Sequence, residues 1–149
     1  MRLVDVTKEN WLSVILLTTN MDNQHTLGEE FVASNAYSII ESFYEGNWTI
    51  KAIEHGSDLI GFAMYGIPEG SASYELCRFM IDRKFQGRGY GKQALALIID
   101  EMVKHFGCKE ICLSTDPANA KGKHIYESLG FTSTGQLQDD EEVYILKIQ

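Results

Sequence analysis

A mixed β-sheet flanked by helices, in the α/β or α+β class, is the fold this sequence predicts. Three observations carry that expectation. Three strand-like runs follow one another between residues 48 and 81, a strongly amphipathic stretch covers 91–106, and a short apolar strand at 110–114 lies between two helical patterns. The element order is β-αα-βββ-α-β-α-ββ. A length of 149 residues suits one domain, residues 1–149, with a sizeable core.

Each element has its own signal. Residues 2–6 (R-L-V-D-V) form a first strand. Residues 10–18 and 28–44 are helical; in the second, Phe31, Ala36, Ile39, Ile40 and Phe43 recur at near-helical spacing. Gly46-Asn47 breaks that pattern. Residues 48–54 alternate as a strand, His55-Gly56-Ser57-Asp58 turns the chain, and 59–67 return as the second arm of a hairpin. Pro68-Glu69-Gly70-Ser71 leads into a strand at 73–81. Along 91–106, Ala94, Leu95, Ile98, Met102 and Phe106 make one stripe, and Gly107 stops the helix. A strand at 110–114 of the buried type precedes a helix at 119–129, which Gly130 ends. Residues 131–137 and 143–148 form a last hairpin around Asp139-Asp140-Glu141-Glu142.

Composition narrows the function classes. There is no run of 18 apolar residues and no basic stretch leading into an apolar one, so a cytoplasmic protein without membrane attachment is expected. Cys77, Cys108 and Cys112 are odd in number and read as reduced core residues. They and His25, His55, His105 and His124 lack metal-ligand spacing, so no metal is expected. A net charge of −8 disfavours nucleic acid as the ligand. It suits a cationic substrate, and equally it suits solubility alone.

The most specific local signal is Gln86-Gly87-Arg88-Gly89-Tyr90-Gly91, between a strand and the clearest helix. Helix N-termini carry unpaired N–H groups and partial positive charge, and glycine lets an anion approach the backbone. From Arg78 to Lys92 five basic side chains stand against Asp82 alone, a net +4 inside an acidic chain. A phosphorylated small molecule is the implied ligand. A P-loop is excluded because its first glycine would be Gln86 and Gly91-Lys92 is followed by Gln93. A dinucleotide fingerprint would need glycine at Lys92 or Ala94, and also fails.

What remains is Gln-x-x-Gly-x-Gly, then Asn119 after the next strand, Tyr126 two helical turns on, and Glu127-Ser128-Leu129-Gly130-Phe131. In these residues the chain resembles the GNAT superfamily of acyl-CoA-dependent N-acetyltransferases, over nearly its whole length in element order. Gly122 departs from the alanine usual in that superfamily. Leu59-Ile60-Gly61-Phe62-Ala63-Met64-Tyr65-Gly66, Arg78-Phe79-Met80-Ile81-Asp82 and Val143-Tyr144-Ile145-Leu146-Lys147 are similar to bacterial polyamine (spermine/spermidine) acetyltransferases.

The resemblance implies acetyl-CoA as cosubstrate, a small-molecule amine as acceptor and direct transfer without an acyl-enzyme; a homodimer is compatible with it. It implies that Gln86, Gly87, Arg88, Gly89, Tyr90, Gly91 and Lys92 hold the diphosphate, with Arg83, Lys84, Lys92 or Lys123 at the ribose phosphate. It further implies that the amides of Phe79, Met80 and Ile81 meet the pantetheine arm and the oxyanion, and that Asn119 bonds that arm. Tyr126 becomes the general acid for the thiolate. An amine attacks only as the free base, and at a pKa near 10.4 about one in 2,500 is free at pH 7, a handicap of roughly 4.6 kcal/mol. Glu75, eleven residues before Gln86, is the candidate base. Cys77 stands where polyamine-acetylating relatives often carry an acid, which leaves the base assignment open. Glu29, Glu30, Glu41, Glu45 and the acids at 139–142 are candidates to attract a polyamine, with Trp11, Tyr37, Tyr44 and Trp48 beside its methylenes or ammonium. Other acceptors remain open: a protein N-terminus, a lysine, an aminoglycoside or an amino acid. So does a non-catalytic CoA-binding regulatory module.

Overall fold

The structure, a computed structural model, describes residues 1–20 and 34–149. Its elements are β1 (Arg2–Asp5), α1 (Trp11–Ile15), α2 (Asn35–Tyr44), β2 (Trp48–His55), β3 (Asp58–Gly66), β4 (Tyr74–Ile81), α3 (Tyr90–Phe106), β5 (Glu110–Thr115), α4 (Ala120–Ser128), β6 (Thr132–Gln138) and β7 (Glu141–Lys147). A short 3-10 turn, Arg83–Phe85, links β4 to the glycine loop. The strands form one sheet in the order β1-β2-β3-β4-β5-β7-β6, antiparallel except for the parallel pair β4–β5. The expected mixed sheet and element order are present.

Two apolar layers cover the sheet. On one face Ala94, Leu95, Ile98 and Met102 of α3 and Tyr126 of α4 pack with Ile53, Ala63, Tyr65, Leu76 and Ile111. On the other, Val14 of α1 and Ile39 of α2 pack with Ala52, Phe62, Met64 and Met80. Buried on both sides, β3 is apolar nearly throughout, as a central strand must be.

Two helices and a turn differ from the sequence reading. The first helix closes at Ile15 and does not reach residue 18. The Thr18 N–H bonds the Asp82 carboxylate at 2.9 Å and the Thr18 carbonyl takes the Arg83 N–H at 2.8 Å, so tertiary partners replace helical ones. The second helix begins at Asn35. Ser34 is extended and its hydroxyl caps the Tyr37 N–H at 3.0 Å, so the helix starts there. Residues 21–33, including His25, Glu29, Glu30 and Phe31, lie outside the described residues. The last hairpin turns on Asp139 and Asp140 alone, both at positive φ (50° and 66°), and Gln138 pairs with Glu141. Glu141 and Glu142 are therefore strand residues rather than part of a four-acid loop.

Candidate active site

The phosphate end is built by backbone geometry. Asp82, itself buried, caps the 3-10 turn through the Lys84 N–H at 2.9 Å. Gln86 folds back so that its Nε2 donates to the Ile81 carbonyl at 2.9 Å, closing the strand end beneath the loop. Gly87 and Gly89 adopt φ of 75° and 77°, a region that favours glycine. Gly89 is the N-cap of α3 and offers no side-chain cap, so among the described residues no side chain caps the first amides of this 17-residue helix. A Cβ at either glycine would meet nothing within 4 Å, so the concavity faces open space. Tyr90 packs against His55 with ring centroids 4.6 Å apart and planes tilted by 33°, and the Arg88 guanidinium sits over Phe85, 5.8 Å from its centroid. Arg83 donates to the Asn20 carbonyl and Lys123 pairs with Glu142, both at 2.9 Å. Lys92 stands at the helix start, beside those first amides.

From that loop a slot runs back along β4. Parallel pairing of β4 with β5 covers Tyr74↔Ile111 and Glu75↔Cys112, and the ladder between the two strands does not continue toward Ile81. Asp82 donates its N–H to the Ile60 carbonyl on the β3 side, whereas the Ile81 carbonyl faces Gln86. Strand alternation then turns the main-chain groups of Phe79 and Ile81 into the slot and those of Met80 toward β3. From Ile81 to Glu75 the strand covers roughly 20 Å.

At the wall of the slot beside α4, Tyr126 is 8% exposed and packs between Phe131 and Tyr144, both with ring centroids at 6.2 Å. Burial raises the pKa of its phenol, opposed by a hydrogen bond with Thr115. Tyr126 is therefore a neutral O–H donor at physiological pH. Asn119 caps α4, its Oδ1 accepting from the Gly122 N–H at 3.0 Å, and its Nδ2 donates to Thr115 Oγ1 at 2.9 Å. The absence of a side chain at Gly122 now has a cause: a Cβ there would lie 2.8 Å from Asn119 Cγ. Gly91 likewise lets α3 approach α4, where a Cβ would touch Ile125 Cδ1 at 3.0 Å.

The opposite face gathers acids. In β4 the register slips between Met64↔Arg78 and Tyr65↔Leu76, leaving Cys77 as an extra residue in a bulge. The slip sends Glu75, Cys77, Arg78 and Met80 to the α1–α2 side while Tyr74, Leu76, Phe79 and Ile81 pack on the α3–α4 side. Arg78, counted above with the phosphate-side cations, instead meets Glu41 of α2 at 3.6 Å. Glu75 is half-buried, and burial is the main cause that raises its pKa; Arg78 opposes the shift, while Glu141 and Glu41 add to it. Burial pushes the Cys77 thiol up to about 12, with Glu75, Glu41 and Glu45 contributing, so it is a protonated neighbour and not a nucleophile. Glu141 accepts from Ser114 Oγ at 2.5 Å and is felt electrostatically by both Glu75 and Tyr126.

Of the expected site residues, Asn119 at the start of α4 and Tyr126 within it lie on one face of the sheet, Glu75 turns to the α1–α2 face, and residues 86–92 follow the end of β4. The structure adds Thr115 and the Arg78–Glu41 pair, which sequence reasoning passed over. A threonine at 115, in the alternation where Ile111 and Leu113 are buried, was the available signal. The suggested substrate rings divide. Trp11, Tyr37 and Tyr44 are exposed, while Trp48 lines a cleft of about 370 Å³ with Tyr74 and Phe106 at the far end of α3. Among the described residues no group of three His, Cys, Asp or Glu could hold a metal ion, and no helix is long and apolar enough to cross a membrane.

A strand that parts from its parallel neighbour and ends at a glycine-rich helix start is the arrangement that family comparison then decides. Residues 9–131 match the model of the acetyltransferase (GNAT) family. The chain belongs to that family. Among relatives, it is 30% identical over 150 residues to the spermine/spermidine N(1)-acetyltransferase of Bacillus subtilis (strain 168), covering 91% of this chain and 99% of that one. Among solved GNAT-like structures, it superimposes on the PaiA N-acetyltransferase of Thermoplasma acidophilum in complex with coenzyme A (TM-score 0.72, 17% identity, 99% and 98% of the two chains). It also superimposes on the spermidine N-acetyltransferase of Vibrio cholerae in complex with CoA and spermine (TM-score 0.73, 17% identity, 98% and 94%). This GNAT chain is an N-acetyltransferase with the fold of those enzymes.

Proposed function

We propose that this enzyme transfers acetyl from acetyl-CoA directly to a primary amine of a polyamine such as spermidine or spermine. The observation that carries the acceptor class is the acidic face of the slot. Glu41 and Glu141 raise the pKa of Glu75, and Glu75, Glu41 and Glu45 that of Cys77, with Arg78 opposing both shifts. One carboxylate serves a monoamine; several around one channel suit a chain carrying several ammonium groups. The named relatives act in the same sense.

The chain's residues divide the chemistry as follows. The amides opening α3 and the loop from Gln86 to Lys92 bind the diphosphate, and the β4 edge at Phe79 and Ile81 takes the peptide-like pantetheine arm. The same edge supplies N–H groups to the oxyanion that develops at the thioester carbonyl. Glu75 removes a proton from the incoming ammonium, directly or through water. Burial suits it to that task, since a raised carboxylate is a stronger base. Tyr126 gives its hydroxyl proton to the departing thiolate. Cys77 stays a thiol, in keeping with transfer that forms no covalent enzyme intermediate.

The test is release of CoA thiol from acetyl-CoA across a panel of spermidine, spermine, lysine, an aminoglycoside and N-terminal peptides. The expected result is the highest kcat/KM with the polyamines. Preference for any other acceptor overturns the substrate, and no turnover with any amine while CoA binds returns the chain to a sensing module.

A further inference from the structure

We propose that Asp82 is a positioning residue for both substrates: one carboxylate oxygen holds the turn that leads to the diphosphate loop, and the other holds the chain that leaves α1 on the acceptor side. The inference rests on the reading that coenzyme A meets the loop at 86–92 and the amine meets the α1–α2 face. It goes beyond that reading by naming what fixes the one against the other. Asp82 carries a carboxylate yet is only 4% exposed. Its own N–H donates to the Ile60 carbonyl of β3 at 2.8 Å, so the side chain stands on the central strand. A carboxylate only accepts, and its two oxygens can take N–H groups from two directions. Oδ1 takes the Lys84 N–H at 2.9 Å and caps the 3-10 turn. Oδ2 takes the Thr18 N–H, also at 2.9 Å, from a residue 64 positions away.

The second bond belongs to a wider clamp. The Thr18 carbonyl accepts the Arg83 N–H at 2.8 Å, and the Asn20 carbonyl accepts from the Arg83 guanidinium at 2.9 Å. Arg83, one of the cations that the resemblance offers to the ribose phosphate, thus reaches back to the chain after α1. From Thr18 the hold passes on through α1. The Val14 carbonyl accepts from Asn35 Nδ2 at 2.9 Å, and Asn35, 6% exposed, is the first residue of α2. Helix α2 in turn brings Glu41 to Arg78 of β4, the strand that Asp82 follows. The α1–α2 layer is therefore fastened to that strand twice, at Asp82 toward the diphosphate loop and at Arg78 beside Cys77. Hydrogen bonds to a buried carboxylate hold their geometry, because a lost partner leaves a polar group buried without one. A wall held in place before its substrate arrives binds more tightly, since less is ordered on binding. Asp82 gives that preorganisation to the walls of both substrates.

The experiment compares Asp82→Ala, Asp82→Asn and Asn35→Leu in the full chain, each read as kcat, KM for acetyl-CoA and KM for spermidine, with thermal melting alongside. Asp82→Ala is expected to raise both KM values roughly tenfold, the magnitude of one charged hydrogen bond lost on each side, with kcat changed less than either. Asp82→Asn keeps one accepting oxygen and sets a donor against the other N–H, so it recovers one KM and not both. Asn35→Leu, similar in volume, breaks the route only beyond Thr18. It should raise the spermidine KM several-fold and leave that of acetyl-CoA at wild type. A lower melting temperature in Asp82→Ala with both KM values at wild type overturns the inference, since the carboxylate then serves stability alone. So does a rise in the acetyl-CoA KM by itself, or recovery of both values in Asp82→Asn. A wild-type spermidine KM in Asn35→Leu also overturns it, and decides the acceptor branch even where substitution at 82 prevents folding. If wild type prefers another amine, that amine replaces spermidine in every arm and the same pattern decides. Wild type that fails to bind coenzyme A overturns the underlying reading, and this inference with it.

Discussion

In the proposed mechanism Glu75 takes a proton and Tyr126 gives one, and burial raises the pKa of both. For Glu75 burial favours the neutral acid, so the folded pKa lies above the ordinary carboxylate value. The acid limb of the rate should sit correspondingly high, with activity lost as pH falls through that raised value. In Glu75→Gln the limb should vanish and the rate should climb with pH toward the amine's own pKa near 10.4; an unchanged profile removes Glu75 as the base. The same shift bears on stability with a definite sign. Between the unfolded and folded pKa values the native state holds more protons, so stability falls as pH rises through that window. Glu75→Gln should therefore melt higher than wild type at neutral pH, with the difference fading in acid. For Tyr126, burial keeps the phenol protonated, and Tyr126→Phe should lower kcat about a hundredfold or more while leaving CoA affinity nearly intact. Calorimetry and steady-state rates on the same preparation check both halves.

At the scale of elements, α4 shows how a local rule bends to a site. Glycine in a helix interior costs about 1 kcal/mol relative to alanine, yet Gly122→Ala should not recover it. The new methyl meets the Asn119 carboxamide, so the variant should lose the cap, worth about 1 kcal/mol, and turnover with it. Thermal melting at or above wild type, with full activity, would contradict this account of Gly122. The elements best marked in the sequence were those whose pattern is local. The stripe at Ala94, Leu95, Ile98 and Met102 and the stop at Gly107 placed α3 to within a residue, and the β2–β3 hairpin matched closely. The misses share a cause in tertiary partners. Helix α1 is shortened because residues 82 and 83 capture Thr18. The bulge at Cys77 reverses the side-chain phase of β4, which no alternation count reveals, and so moves Arg78 from the phosphate side to Glu41. Thr115 was invisible for a like reason: only folding brings to it the Asn119 carboxamide that bonds it.

Across the whole molecule, charge is sorted by face and by end. A chain of net −8 has Arg83, Lys84, Arg88 and Lys92 close before or at the start of α3 and Glu41 and Glu45 on α2 or at its end, with Glu41 facing Arg78 of β4. An acceptor drawn by several partly exposed carboxylates should feel ionic strength, because the Debye length falls from about 10 Å at 0.1 M salt to about 3 Å at 1 M. The KM for spermidine should rise several-fold over that range while the KM of a monoamine changes less; equal salt dependence would deny the acidic face a role in recognition. The account as a whole depends on the phosphate end. The most direct measurement is calorimetric titration of coenzyme A against pantetheine, which carries the same thiol arm without the diphosphate. Strong binding of coenzyme A with far weaker binding of pantetheine is the predicted result. Equal affinities, or no heat with coenzyme A, would contradict it.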